Sequence, residues 1–282
     1  MIVVSTVADL RHEITTLRRQ GRRIAFVPTM GNLHAGHLRL VQVAREHADV
    51  VVASIYVNPL QFGPKEDLAA YPRTPDEDKR ALEAEKTELL FMPTDAEMCP
   101  RGLDVMTKVE VPGLGDILCG KFRPGHFRGV TTVVNRLFNL VQPDVAIFGK
   151  KDYQQLMLIK LMVADLGMSI EIVGVDTVRE ADGLAMSSRN NYLSAVERKT
   201  AAKLYAVLCS LRDRLIKERR AVAGMETDAL RELETAGFRP DYLSVRRAAD
   251  LGDPGPQDRQ LVILAAAWLG RTRLIDNVEV TV

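Results

Sequence analysis

The sequence predicts an α/β protein, with a parallel-sheet domain over residues 1–176 and a smaller α+β domain over residues 177–282. Three observations carry this. Up to Val175, short apolar runs alternate with stretches of helical periodicity, the pattern of βαβ units. Those runs are apolar at almost every position, as strands covered on both faces are. Beyond Thr177 the alternation gives way to helices followed by strands.

In chain order, Leu10, Ile14 and Leu17 predict a helix over 9–20, with Asp9 as N-cap and Gly21 as stop. Residues 24–27 (Ile-Ala-Phe-Val) are the first expected strand. Leu38, Leu40, Val41, Val43 and Ala44 mark the helix after it, ending near His47. Residues 49–57 read as a second buried strand, so the two are parallel with a right-handed crossover. Residues 58–75 break the pattern and read as a lid or binding loop on the ligand side of the sheet, or as a solvated excursion. The charged stretch 76–88 reads as the solvated face of a helix. Residues 89–92 and 107–111 are further candidate strands. Residues 121–129, Lys-Phe-Arg-Pro-Gly-His-Phe-Arg-Gly, form a basic loop that touches phosphate, meets a second subunit or is simply exposed. A helix over 130–141, a strand over 144–148, a helix over 155–166 and a strand over 170–175 complete the sheet. In the second domain Ser194 caps a long helix over 195–217, another helix covers 223–236, and strands are expected at 241–245, 260–267 and 272–280.

Composition narrows the function. The chain has 282 residues with a formal net charge of +1, which offers no electrostatic footprint for nucleic acid or an anionic membrane. No apolar stretch approaches membrane-spanning length, and the first ten residues, with Asp9, are too short and polar for a signal peptide. The three cysteines, Cys99, Cys119 and Cys209, lack metal-ligand spacing and are odd in number, the pattern of reduced thiols in the cytoplasm.

The chemistry gathers at strand ends, where open α/β sheets bind ligands. Pro28-Thr29-Met30-Gly31-Asn32-Leu33-His34-Ala35-Gly36-His37 joins the first strand to its helix. Gly31 and Gly36 allow close approach, and His34 and His37, three apart, share one face if both are helical. Imidazoles beside a helix N-terminus suit a nucleotide phosphate. Gly149-Lys150-Lys151-Asp152 repeats the arrangement at another strand end, without the glycine spacing of a P-loop. The third element, residues 183–191, brings Ser187, Ser188 and Arg189. Gln61 offers a neutral amide for a hydroxyl or carboxylate. Imidazole, ammonium, hydroxyl and guanidinium together suit the charge that builds on a phosphoryl group during in-line displacement. No nucleophile with a positioned base is evident, and the dinucleotide glycine fingerprint is absent, which argues against a covalent enzyme intermediate and an oxidoreductase. Read residue by residue, the sequence stops at nucleotidyl transfer from a nucleoside triphosphate, with a non-catalytic nucleotide-binding regulator as the rival.

Seven blocks in order sharpen this: VPTMGNLHAGH, VNPLQF, YPRT, RPGHFRGV, FGKKDYQQL, DGLAMSSRN and AAAWLGRTRLIDN. They resemble the pantoate–β-alanine ligase family, of the nucleotidyltransferase superfamily shared with class I aminoacyl-tRNA synthetases. The resemblance implies a Rossmann-like N-terminal sheet and a C-terminal domain that closes over the ATP site. It implies ATP-dependent joining of (R)-pantoate to β-alanine through pantoyl adenylate, releasing pyrophosphate and AMP, in a cytoplasmic homodimer that binds neither nucleic acid nor membrane. Met30, Gly31, Asn32, Leu33, His34, Ala35, Gly36 and His37 would line the ATP site. His37 would be proton donor or stabiliser of phosphate charge, and His34 would contact phosphate. Gln61 and Gln155 would grip pantoate. Gly149, Lys150, Lys151 and Asp152 would hold the nucleotide, with Lys151 on the phosphates and Asp152 near the ribose or the metal. Val178 would face adenine, and Met186, Ser187, Ser188 and Arg189 would bind the triphosphate. Mg²⁺ is implied by the chemistry, with its protein ligands unassigned.

Overall fold

A computed structural model describes residues 1–64, 66–218 and 222–282. It divides into two compact units, one of residues 1–150 and 155–176, the other of 151–154 and 177–282.

The first unit is built on a six-stranded, all-parallel sheet in the order β1-β4-β3-β2-β5-β6. Its strands are β1 (Ile2–Val4), β2 (Ile24–Thr29), β3 (Val50–Ile55), β4 (Leu89–Phe91), β5 (Val145–Gly149) and β6 (Glu171–Val175). The strand alternation decides both cores. Ile24, Phe26, Val50, Val52, Leu89, Phe91, Ala146 and Phe148 point to one face, against α1 (Val7–Arg19), α6 (His126–Val141) and α7 (Tyr153–Asp165). Ala25, Val27, Val51, Ala53, Leu90, Val145 and Ile147 point to the other, against α2 (Ala35–His47) and Leu82 of α3 (Pro75–Ala84). Two short helices, α4 (Asp95–Met98) and α5 (Cys119–Phe122), lie in the connection to α6.

The second unit carries α8 (Ala195–Ala201), α9 (Lys203–Glu218) and α10 (Val222–Thr235). An antiparallel sheet follows, of β7 (Arg239–Arg247), β8 (Gln260–Leu269) and β9 (Thr272–Thr281), in the order β7-β8-β9. Its separate core joins Leu204, Leu208 and Leu211 of α9 to Leu243, Ile263 and Leu274. Ser194 caps α8 in a reciprocal box with Glu197. Among the described residues no helix is long and apolar enough to cross a membrane.

Three expectations are corrected, and one strand was not foreseen. Thr6 caps α1; its hydroxyl oxygen accepts from the Asp9 N–H at 3.1 Å, which makes Asp9 the third helical residue. β1 was not foreseen, because three residues are too few to show a period. Residues 107–111 are not a strand. Val109 is paired instead by Thr132, which accepts from its N–H at 2.9 Å, and by Thr131, which donates to its carbonyl at 2.6 Å. The long helix expected over 195–217 is divided between α8 and α9.

One contact in the first unit leaves no slack. Gly129 of α6 lies against the turn at Pro59–Gln61, where a Cβ would overlap the Leu60 carbonyl and come within 2.7 Å of the Gln61 nitrogen. Gly129→Ala should therefore destabilise the protein by about 1–3 kcal/mol and weaken whatever Gln61 binds, read from the thermal midpoint and from ligand titration.

Candidate active site

In the first unit the strand ends are shaped by side chains from elsewhere in the chain. After β2, Gly31 (φ 81°) and Asn32 (φ 51°) are both left-handed. That turn directs the Asn32 and Leu33 N–H groups at Asp78, whose two oxygens accept at 2.9 and 2.8 Å. Asp78 is buried on α3, and the Thr74 hydroxyl donates to it at 3.3 Å. A Cβ on Gly31 would sit 3.0 Å from both the Asp78 carboxylate and the Ile55 side chain, so the turn is tight as well as left-handed.

The next residues form the N-terminus of α2. His34 is the N-cap, extended at φ −135° and ψ 175°. Its Nδ1 accepts from the Gly36 N–H at 3.1 Å, and His37 Nδ1 accepts from the His34 N–H at 3.3 Å. This is a capping box made by two histidines, with rings 4.0 Å apart. His34 is thus outside the helix, and the pair meets by reciprocal capping where the sequence suggested a shared helical face. Because each Nδ1 accepts, the proton of each neutral ring lies on Nε2.

Gln61 is held from several sides. Asn58, buried, donates to the Gln61 side-chain oxygen at 3.0 Å and to the Gly129 carbonyl at 3.1 Å. The Gln61 amide nitrogen meets Met30 Sδ at 3.0 Å. The Gln61 main-chain carbonyl accepts from His126 Nδ1 at 2.7 Å, and His126 Nε2 in turn accepts from Arg123 at 3.1 Å. Arg123 also grips Glu66 with two hydrogen bonds of 2.7 and 2.5 Å. Residues 121–129 are thus no loop: α5 ends at Phe122 and α6 begins at His126, and Arg123 and His126 at that junction brace Gln61 and Glu66. Burial pushes the Glu66 carboxyl up, but the hydrogen bonds and charge of Arg123 outweigh it, and the net shift is downward. Deeper in, burial and then Asp95 push the Tyr56 phenol far above its ordinary value, so it stays a donor, at 2.9 Å from Asp95. A cleft of about 360 Å³ opens at the ends of β2, β3 and β4, with Met30, Gly31, Tyr56, Thr74, Asp78 and Asp95 in its lining.

At the end of β5, Gly149 is half-buried and Lys150 pairs with Asp176 at 2.8 Å. Gln155 is half-buried on α7. Among the described residues, no group of three or more His, Cys, Asp or Glu side chains could hold a metal ion.

The second unit holds Lys151, Asp152, Val178 and residues 186–189. The Met186 N–H donates to the Val178 carbonyl at 3.0 Å and the Glu180 N–H to the Leu184 carbonyl at 2.8 Å, closing a hairpin with Gly183 at φ 90°. Ser187 caps the 3₁₀ turn Ser188–Tyr192, its hydroxyl oxygen accepting from the Arg189 N–H at 3.3 Å. Ser188 is buried; Met186, Ser187 and Arg189 are half-buried. Burial pushes the Asp276 carboxyl up against the pull of the Arg179 guanidinium, which binds both of its oxygens.

Comparison with known proteins gives the family. The family model described as pantoate-beta-alanine ligase matches residues 2–279. The chain belongs to the pantoate–β-alanine ligase family. It is similar to a pantothenate synthetase of Shewanella loihica, at 57% identity over 99% of each chain. One of Chromohalobacter salexigens is 54% identical over 100% of this chain and 99% of that one. Among solved structures, pantothenate synthetase from Thermus thermophilus superposes with a TM-score of 0.93 at 46% identity over 100% of both chains. The Francisella tularensis ligase, described as complexed with beta-gamma ATP and beta-alanine, gives 0.83 at 32% identity, over 99% of this chain and 97% of that one. The fold is that of the family: an α/β parallel sheet and a separate C-terminal antiparallel sheet. The chain is an enzyme of this family, a ligase that joins pantoate to β-alanine.

Sequence reasoning about this ligase missed two residues that shape its strand ends. Asp78 was read as part of a solvated helix face, yet it precedes Leu82 by four and so shares that residue's buried side. Asn58 stands just before Pro59 and caps the following turn, accepting from the Leu60 N–H at 3.0 Å. An Asn-Pro pair is a turn signal that could have found it.

Two outcomes follow. Asp78→Ala leaves the Asn32 and Leu33 N–H groups without their acceptor, which should cost about 1–3 kcal/mol and weaken ATP binding, measured by denaturation and by isothermal titration. Glu66, with its folded value depressed, contributes stability above the unfolded pKa of about 4.3 and loses it as pH falls through the folded value. Protection factors of the Leu60, Gln61 and Phe62 amides, corrected for the intrinsic pH dependence of exchange, should therefore fall as pH drops below the unfolded value, and show no such step in Glu66→Gln.

Proposed function

We propose that the ligase works in two steps at the residues described above. In the first, a pantoate carboxylate oxygen attacks the α-phosphorus of ATP in line, the bond to the β-phosphate oxygen breaks, and pyrophosphate leaves. In the second, the neutral amine of β-alanine attacks the acyl carbon of pantoyl adenylate, AMP departs with the bonding pair, and the amine loses its extra proton. Adenylation converts a poor leaving oxygen into a good one, and enclosure keeps water from the mixed anhydride.

The histidine capping box carries this reading. With both Nδ1 atoms committed to backbone N–H groups, the Nε2–H groups of His34 and His37 serve as neutral donors to phosphate oxygens. His37 then stabilises charge as a hydrogen-bond donor, which makes a proton-transfer role unnecessary. This reading assigns Met30, Gly31, Asn32, Leu33, His34, Ala35, Gly36, His37, Gly149 and Lys150 to the nucleotide, and likewise Lys151, Asp152, Val178, Met186, Ser187, Ser188 and Arg189. Gln61 and Gln155 bind pantoate; the hold of Asn58 on the Gln61 oxygen supports an orientation in which the amide nitrogen donates. Mg²⁺ supplies charge neutralisation when bound. Among the described residues no group of three His, Cys, Asp or Glu side chains forms a cage for it. The proposal also places the enzyme in the cytoplasm as a homodimer; its three free cysteines fit a reducing compartment.

The test is single-turnover release of pyrophosphate and AMP. Pyrophosphate should appear in a burst with ATP, Mg²⁺ and pantoate, and AMP only when β-alanine is added. His37→Ala should slow the burst by about 10²–10³-fold. His37→Gln, which restores an acceptor for the His34 N–H, should recover the thermal midpoint while staying slow. A burst of native speed in His37→Ala removes the proposed role. Pyrophosphate release that instead requires another acceptor, with the nucleotide kept on the product, points to a nucleotidyltransferase.

A further inference from the structure

The block ending Arg273-Leu274-Ile275-Asp276-Asn277 has no place in the mechanism so far, although Asp276 and Asn277 are only 3% and 6% exposed. Both lie on β9, and successive residues of a strand reach opposite sides. On one side Asp276 takes Arg179 in two hydrogen bonds of 2.6 and 3.0 Å. That guanidinium also donates to the Gly183 carbonyl at 3.1 Å and lies 3.6 Å from the centre of the Tyr205 ring. Arg179 thus ties the hairpin that carries Val178 at one end and Met186 at the other. Asn190 closes the far side of that loop, donating to the Ala185 carbonyl at 3.0 Å. Asn277 reaches elsewhere: its amide donates to the main-chain carbonyl of Lys151 at 2.9 Å. Two residues on, the Tyr153 hydroxyl lies 3.2 Å from the Glu279 carboxylate and 3.1 Å from the Ala248 carbonyl, its single proton shared between these two acceptors. Residues 151–154 are accordingly part of the second unit although their neighbours on both sides belong to the first.

A buried Arg–Asp pair gains little stability over an apolar replacement of the same size. What it supplies here is a fixed place for two chain segments. We propose that Asp276 and Asn277 are positioning residues for adenylation, holding Lys151 and the 186–189 loop in one register for the same triphosphate. The proposal rests on the reading that Lys151, Ser187, Ser188 and Arg189 bind the ATP phosphates. It deepens that reading by naming what aligns the two phosphate-binding elements, and it confines their joint effect to the first half-reaction, since the adenylate no longer carries the β- and γ-phosphates.

The experiment compares Asp276→Asn and Asn277→Asp, which keep side-chain size, with Lys151→Ala and the Lys151→Ala/Asn277→Asp double variant. Each is measured for KM of ATP and of pantoate, for single-turnover adenylation, and for the reaction of pre-formed pantoyl adenylate with β-alanine. Asp276→Asn and Asn277→Asp should each raise KM for ATP and slow adenylation by about tenfold or more. KM for pantoate and the β-alanine step should stay within about twofold. With Lys151 already truncated, Asn277→Asp should add less than about twofold, because it acts through that residue. Adenylation and KM for ATP unchanged in both β9 variants, with Lys151→Ala impaired, overturn the positioning role and leave the phosphate reading intact. Equal losses in both half-reactions, accompanied by a lower thermal midpoint, also overturn it, since they mark a structural role. Native adenylation in Lys151→Ala overturns the phosphate reading itself.

Discussion

Two backbone N–H groups set the shape of the chain at the end of β2. A chain that turns left-handed at Gly31 and again at Asn32 turns the Asn32 and Leu33 amides away from any helix or sheet, and amides so placed need an acceptor. Asp78 provides it with one oxygen for each. Asn tolerates the left-handed region better than most residues, and a carboxylate accepting two N–H groups offsets what cost remains. The position of His34 depends on this arrangement, because the cap residue starts where the turn ends.

In the proposed mechanism, structure and chemistry use opposite ends of the same rings. The Nδ1 atoms of His34 and His37 stabilise the start of α2, and that commitment determines which nitrogen carries the proton. Serine or threonine at the cap would satisfy the helix equally well but would have no second nitrogen to present. Under the proposed mechanism that second nitrogen is the donor to phosphate. Gln61 follows the same logic. Asn58 and His126 spend their polar atoms on its oxygen and its main chain, so the direction of its amide is determined before a ligand arrives.

The second unit solves a similar problem with a strand. Residues 151–154, a 3₁₀ turn running into α7, and the hairpin after Val178 join regular elements and need fixing in place. β9 is pinned in a well-packed antiparallel sheet and lends them its rigidity through Asp276, Asn277 and Glu279. In both units an irregular segment is held by polar side chains from a regular element.

The apolar runs of β2, β3 and β5 were legible because a strand buried on both faces is apolar wherever it is read, and Ser194 was legible because its cap partner lies three residues away. The strand-end motifs, and through them the family, were legible because glycine, histidine and lysine cluster within a few residues of those runs. Asp78, Asn58, Arg123 and the pair Asp276–Asn277 were not. Their partners lie 45, 71, 57 and about a hundred residues away along the chain, and no local period records a contact of that span. Val109 shows the same limit from the other side, since its segment looks like a strand until Thr131 and Thr132 are seen to pair its backbone. The sequence by itself determined which segments are buried and which residue types stand at the strand ends. Only the tertiary structure decided which side chains hold those ends in shape, because a hydrogen bond depends on position in space and periodicity reports only position along the chain.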